Sequence, residues 1–149
     1  MMRKSLMILV VTVLALVVGG SLAMACEFQF ELMSPDGSVQ RIMPNREIDL
    51  ELGKSYTLEV RFTPDHRRCD IPPEATLYLL QDEKWKSTKD YLPLGLLSMG
   101  EWTVSQEERE GSWEQELRFS ALKEGDWALE IVRECPKGGY DEFLQFQVR

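Results

Sequence analysis

The run Trp127-Ala128-Leu129-Glu130-Ile131-Val132, Cys135-Pro136-Lys137-Gly138-Gly139-Tyr140, Phe143-Leu144-Gln145-Phe146-Gln147-Val148 decides the fold. Side chains alternate faces along an extended chain, so Trp127, Leu129 and Ile131 share one side of the first flank. Leu144, Phe146 and Val148 share one side of the second. Between them, Pro136 and the Gly138-Gly139 pair carry turn chemistry, the glycines by accepting positive φ. The run therefore predicts a β-hairpin with one apolar face and Cys135 at its mouth.

The same period of two recurs upstream. Phe28, Phe30 and Leu32 alternate with Gln29 and Glu31, and Ser34-Pro35-Asp36-Gly37 follows as a turn. Val39 and Ile42 lie in a short extended segment closed by Pro44-Asn45. Ile48, Leu50 and Leu52 alternate with Asp49 and Glu51. After Gly53-Lys54, Tyr56, Leu58, Val60 and Phe62 alternate with Thr57, Glu59 and Arg61. These last two runs predict an antiparallel hairpin with one wet face. Thr63 to Pro73 reads as a loop and Ala75 to Leu80 as a strand. Asp82 to Asp90 is polar and has room for a short helix. Tyr91 to Val104, broken by Pro93, Gly95 and Gly100, reads as an edge strand or strand pair. Ser105 to Gly111 is an acidic turn, and Trp113 to Phe119 is a strand with Leu117 and Phe119 facing in.

Residues 1–25 have the three-part form of a secretory signal. Arg3 and Lys4 precede an apolar stretch from Leu6 to Val18, and Ala23-Met24-Ala25 closes it with small residues. The expectation is a leader, 1–25, and one domain, 26–149, exported to the periplasm or the extracellular space. The stretch Ala23-Met24-Ala25-Cys26 resembles a bacterial lipoprotein signal, although that family usually has Leu and a small residue where Ala23 and Met24 stand. The resemblance implies a lipid on Cys26, which would be the chain's tie to a membrane. Without the leader 124 of the 149 residues remain, enough for one core and too few for two typical domains. Losing Arg3 and Lys4 takes the net charge from −8 to −10. That balance argues against nucleic acid and against anionic membrane surfaces as partners.

Seven to nine short strands, turn signals at intervals of about ten residues and no long helical periodicity point to an all-β antiparallel sandwich. The pattern over 26–149 resembles an immunoglobulin-like domain, without the Cys-Trp-Cys core of antibody domains. The resemblance implies strand A at Glu27 to Leu32, B at Ser55 to Phe62, C at Ala75 to Leu80, E at Trp113 to Phe119, F at Trp127 to Glu134 and G at Glu142 to Val148. It also implies that the B–C loop, the F–G loop and the start of A share one end. Cys26, His66, Cys69 and Cys135 would then lie at a common pole.

At that pole an exported protein is expected to oxidise thiols. A Cys69–Cys135 disulfide would close a loop of about 65 residues and contribute roughly 4 kcal/mol by chain entropy. The other pairings join Cys26 to Cys135 or to Cys69. Cys26, His66, Cys69 and Cys135 are also ligand types that suit Zn²⁺ or Cu(I), although no CxxC is present. A nucleophilic pair from His66 and Cys69 can be drawn, with Arg67 and Arg68 lowering the thiol pKa. No serine triad and no phosphate-cradling glycine loop accompanies it. Trp85, among Lys84, Lys86 and Lys89, and the nearby Tyr91 are candidate contacts for a protein or envelope partner. The expected function is therefore non-catalytic and free of cofactors: binding or structural interaction in the cell envelope. The alternative is a periplasmic metal- or thiol-handling protein using the cysteine pole.

Overall fold

Each long run of alternating residues becomes a strand with one buried face, and two sheets of such strands close on a shared core. A computed structural model of the chain describes residues 26–64, 71–81, 87–88, 95–105, 111–136 and 138–149. Its strands, in chain order, are β1 Cys26–Met33, β2 Val39–Ile42, β3 Glu47–Leu50, β4 Ser55–Pro64, β5 Leu77–Gln81 and β6 Ser87–Thr88. They continue with β7 Leu96–Met99, β8 Thr103–Val104, β9 Trp113–Ser120, β10 Gly125–Cys135 and β11 Gly138–Val148. One sheet runs β2-β1-β4-β9-β7, with β8 also on β9. The other runs β3-β11-β10-β5-β6. Phe30, Leu32, Leu58, Val60 and Phe62 from the first sheet meet Leu80, Ile131, Leu144 and Phe146 from the second. The molecule is a two-sheet, all-β sandwich, as the alternation predicted. No helix among the described residues is long and apolar enough to cross a membrane.

The hairpin of 127–148 is longer than expected. Its register runs from Gly125↔Val148 to Cys135↔Gly138. Cys135 and the Gly138-Gly139-Tyr140 stretch belong to the ladder rather than to a loop, which leaves residues 136 and 137 between the strands. Glycine makes this extension feasible. Gly139 takes φ +120°, and a Cβ there would lie 2.7 Å from the carbonyl oxygen of Arg133.

The hairpin expected between Ile48–Leu52 and Tyr56–Phe62 does not form. β3 lies parallel to β11 in the second sheet, with Ile48 opposite Phe146 and Leu50 opposite Val148. β4 lies between β1 and β9 in the first sheet. Alternation shows that one face is buried, but both sheets offer the same core to bury it in, so it does not select the neighbour. The chain changes sheets through Asn45, which takes φ +61°. Its backbone N–H donates to the Phe143 carbonyl at 3.0 Å and its Nδ2 to Glu142 Oε2 at 2.9 Å. These bonds seat β3 beside β11. The chain then leaves the second sheet as the Leu52 N–H donates to the Arg149 carbonyl and the Gly53 N–H to the Ala121 carbonyl.

Two smaller departures fall between residues 82 and 104. Ser87 and Thr88 pair with Gln81 and Leu80 as a short edge strand, where a helix had room. The expected edge pair appears as β7 and β8, which follow one another along the same side of β9. Gly100-Glu101-Trp102 interrupts them, and Trp102 turns inward to meet the Phe62 ring edge-on at 6.5 Å. Aromatic rings favour such offset or edge contacts.

Phe146 is 2% exposed, stands beside Ile48 in the parallel ladder and packs 5.8 Å from Phe119. Phe146→Ala is expected to cost about 3–5 kcal/mol in urea unfolding. Leu97→Ala, at a side chain 63% exposed, is expected to stay within about 0.5 kcal/mol.

Candidate functional site

The register carries the start of β1 and the tip of the β10–β11 hairpin to the same end of the sandwich. Cys26 stands opposite Pro64, where β4 ends. Two positions along β1, the Phe28 ring packs 4.4 Å from that of Tyr140, and Tyr140 stands opposite Arg133 in the hairpin. Cys26 is fully buried and Cys135 partly exposed.

Arg133 organises this end. It follows Trp127, Leu129 and Ile131 at the next inward position of β10, so alternation points its side chain into the core. It is 1% exposed. Burying a guanidinium is costly unless its N–H groups find acceptors. Nη1 donates to the Pro72 carbonyl at 2.8 Å and Nη2 to the Ile71 carbonyl at 2.5 Å. The Thr76 hydroxyl lies 3.5 Å from Nη1. The guanidinium also sits 4.2 Å over the Phe62 ring, a cation–π contact in a desolvated setting. One side chain on the second sheet thus holds the segment leading into β5 and packs on the first sheet. Beside it, Tyr140 has its phenol pKa raised above the ordinary tyrosine range, by burial first and by the Glu142 carboxylate second. It stays neutral at physiological pH.

The sequence-derived candidates divide between described and undescribed residues. Cys26 and Cys135 share the pole, and Pro64 and Ile71, which flank 65–70, both lie there. His66 and Cys69 are within 65–70 and lie outside the described residues, so the Cys69–Cys135 pairing and the four-residue metal set do too. No disulfide joins Cys26 to Cys135 in the structure. No group of three or more His, Cys, Asp or Glu able to hold a metal occurs among the described residues. Trp85 and Tyr91 also lie outside the described residues. Arg133 was not a sequence candidate, although the signal was present: a charged residue falls where alternation demands an inward one.

The outer face of the first sheet is chemically different. Glu31, Glu59 and Glu116 stand directly opposite one another on β1, β4 and β9. Like charges at opposed positions repel. Arg61 relieves part of this, with Nε donating to Glu114 Oε1 at 2.7 Å and Nη2 lying 3.4 Å from Glu59 Oε1. The Glu59 carboxyl is nevertheless raised above its ordinary value, by burial first and by the Glu114 charge next, with Arg61 opposing.

Compared with known proteins, the chain matches no family model and no curated protein.

Arg133→Ala leaves two carbonyls without their donors and a space beside Phe62. It is expected to cost about 2–4 kcal/mol in urea unfolding and to speed amide exchange at Thr76. Arg133→Met keeps the apolar stem and should recover part of the stability but not the slow exchange. Glu59 gives a pH prediction of opposite sign to a paired carboxylate. Its folded pKa is raised, so its stabilising contribution is fully present below the unfolded pKa and lost as pH rises through the folded value. Glu59→Gln should therefore raise the urea midpoint at neutral pH, and the gain should vanish near about pH 3.5, where both forms are uncharged.

Proposed function

We propose that this chain is an exported, non-catalytic binding module of the immunoglobulin-like type, working in the cell envelope through the loops at the Cys26/Cys135 pole. The strand order carries the reading. β1, β4, β9 and β7 take the A, B, E and D positions of one sheet, and β5, β10 and β11 the C, F and G positions of the other. β3 lies along G, and β6 extends the sheet beside C. The inter-sheet disulfide of antibody domains has no counterpart, since mid-β4 and mid-β10 carry Leu58, Val60, Leu129 and Ile131 in the core. In sandwiches of this order loops cluster at the two ends, and loops positioned by a rigid strand scaffold are where contact residues concentrate. Arg133 supports the reading, because it anchors the 71–76 segment from within and leaves the pole's surface for contact.

Export and lipidation are tested together. The full chain, expressed in a bacterial host, should be recovered outside the cytoplasm with Cys26 as its first residue. A lipid on Cys26 adds its mass in the membrane fraction and requires the start of β1 to lift from Pro64. Uncleaved chain confined to the cytoplasm would overturn the reading.

One observation favours a second reading, a periplasmic metal- or thiol-handling protein. Cys26 and Cys135 lie at the end that also holds Pro64 and Ile71, the described residues on either side of His66 and Cys69 in the sequence. Thiol titration of the denatured, unreduced protein separates the two. The binding-module reading with a Cys69–Cys135 bridge expects at most one free thiol. It also expects Cys135→Ser to lower stability by about 2–4 kcal/mol. Three free thiols with metal in the purified protein would favour the second reading instead.

A further inference from the structure

The flank where β2 ends the first sheet and β3 ends the second carries two strand edges side by side. An open groove of about 340 Å³ separates them, lined by Gln40, Arg41 and Ile42 on one side and Glu47, Ile48 and Asp49 on the other. We propose that this flank joins a second copy of the chain, with β2 of each copy pairing antiparallel to the partner's β3.

The backbone supplies the first half of the contact. Along an extended chain the N–H and C=O of one residue point to the same side, and successive residues alternate. The Ser34 N–H donates to the Ser38 carbonyl at 2.8 Å, and the register continues from it through Leu32↔Gln40 and Phe30↔Ile42. Gln40 and Ile42 therefore turn their backbone groups to β1, and Val39 and Arg41 turn theirs away from the sheet. On β3 the Leu50 carbonyl accepts from the Arg149 N–H at 3.0 Å. Leu50 and Ile48 thus face β11, and Asp49 and Glu47 face outward. Each edge presents alternate residues whose backbone groups are unspent among the described residues.

The two edges also fit one another in direction and face. β1 and β11 both start at the cysteine pole, where Cys26 and Gly138 lie. β2 runs antiparallel to β1 and β3 parallel to β11, so β2 and β3 run in opposite directions. Gln40 and Asp49 line both this groove and the one that continues it toward Ser34 and Ser38, which sets them at a common height. A two-fold axis along the strands therefore lays β2 antiparallel to the partner's β3, with Arg41 opposite the partner's Glu47 and Val39 opposite the partner's Asp49. These residues alternate with the buried Ile42, Ile48 and Leu50, so their side chains share the outer face of the joined sheet.

Charge selects this pairing over the alternatives. Arg41 is exposed and forms no ion pair among the described residues. Glu47 and Asp49 are exposed carboxylates that share one cation, Arg149, whose Nη2 lies 3.7 Å from Glu47 Oε1 and 3.0 Å from Asp49 Oδ1. The two-fold sets Arg41 beside that surplus of carboxylate twice over. β3 against β3 would oppose Glu47 to the partner's Asp49, and like charges at opposed positions repel. β2 against β2 would leave Arg41 without a carboxylate across the seam. Val39 and Met43, 55% and 50% exposed, border the seam and add apolar contact. No residue of the Cys26/Cys135 pole takes part, so dimerisation and the function proposed for that pole are tested separately.

Sedimentation velocity of the purified protein tests for the dimer. A monomer–dimer equilibrium is expected, with the amides of Val39, Arg41, Glu47 and Asp49 exchanging more slowly as concentration rises. Arg41→Glu is expected to weaken the dimer on the order of tenfold. Arg41→Glu combined with Glu47→Arg in one chain restores opposite charges across the seam and is expected to recover the dimer. Both side chains are exposed in the monomer, so these variants keep the fold. Protein that stays monomeric to millimolar concentration would overturn the proposal and leave the flank to a different strand. So would a dimer indifferent to Arg41→Glu, a double variant that does not recover it, or unchanged exchange at those amides.

Discussion

The eleven-pair ladder between β10 and β11 is the constraint on which the rest of the sandwich depends. β5 attaches to its outer side through β10 and β3 to its other side through β11, so the whole second sheet is hung on it. Its inward residues Trp127, Leu129, Ile131, Tyr140, Leu144, Phe146 and Val148 join the shared core. Because pairing and pleat are locked together, a slip of one residue would turn Trp127, Leu129, Ile131, Leu144 and Phe146 out to water. Such a slip forfeits the burial of five large side chains, which makes the register steep. The same register sends Arg133 inward and brings Cys135 to the tip.

Arg133 converts that constraint into a shaped pole. A guanidinium at an inward position must be paired, and among the described residues Arg133 donates to the backbone carbonyls of Ile71 and Pro72. The segment entering β5 is thus fastened to the hairpin by the hydrogen-bonding demand of one buried cation. Phe62 and Tyr140 complete a cluster that is aromatic rather than aliphatic. The opposite end is built differently, with backbone bonds among Leu52, Gly53, Ala121 and Arg149 tying turns of both sheets together. One end is held by a side chain reaching through the core; at the other, the backbone bonds are joined by the Tyr56 hydroxyl accepting from the Glu51 N–H and by the Ser55–Ser120 hydroxyl pair.

The acidity of the chain also acquires structure. Glu31, Glu59 and Glu116 form a repulsive row on the outer face of the first sheet, partly relieved by Arg61. Glu74 and Glu101 instead line an open recess beside Tyr78, Trp102 and Gln115. The first arrangement costs stability at neutral pH, while the second leaves charge at the edge of a rigid aromatic-walled recess. In the linear chain Glu31, Glu59 and Glu116 are simply glutamates on the polar side of extended runs.

What the sequence by itself determined is the all-β class, which residues face inward on β1, β4, β9, β10 and β11, and the positive-φ role of Gly138-Gly139. These follow from a period of two and from the absence of a Cβ, both of which are local. Arg133 was legible by the same alternation, as a charge at an inward position. The tertiary structure alone decided that β3 leaves its sequence neighbour β4 to lie parallel to β11, because both sheets bury their faces in one core and local pattern cannot choose between them. It alone decided that Trp102 turns into the gap beside Tyr78 and Gln115. That placement depends on Gly100 pressing against β9, a contact between residues far apart in the chain.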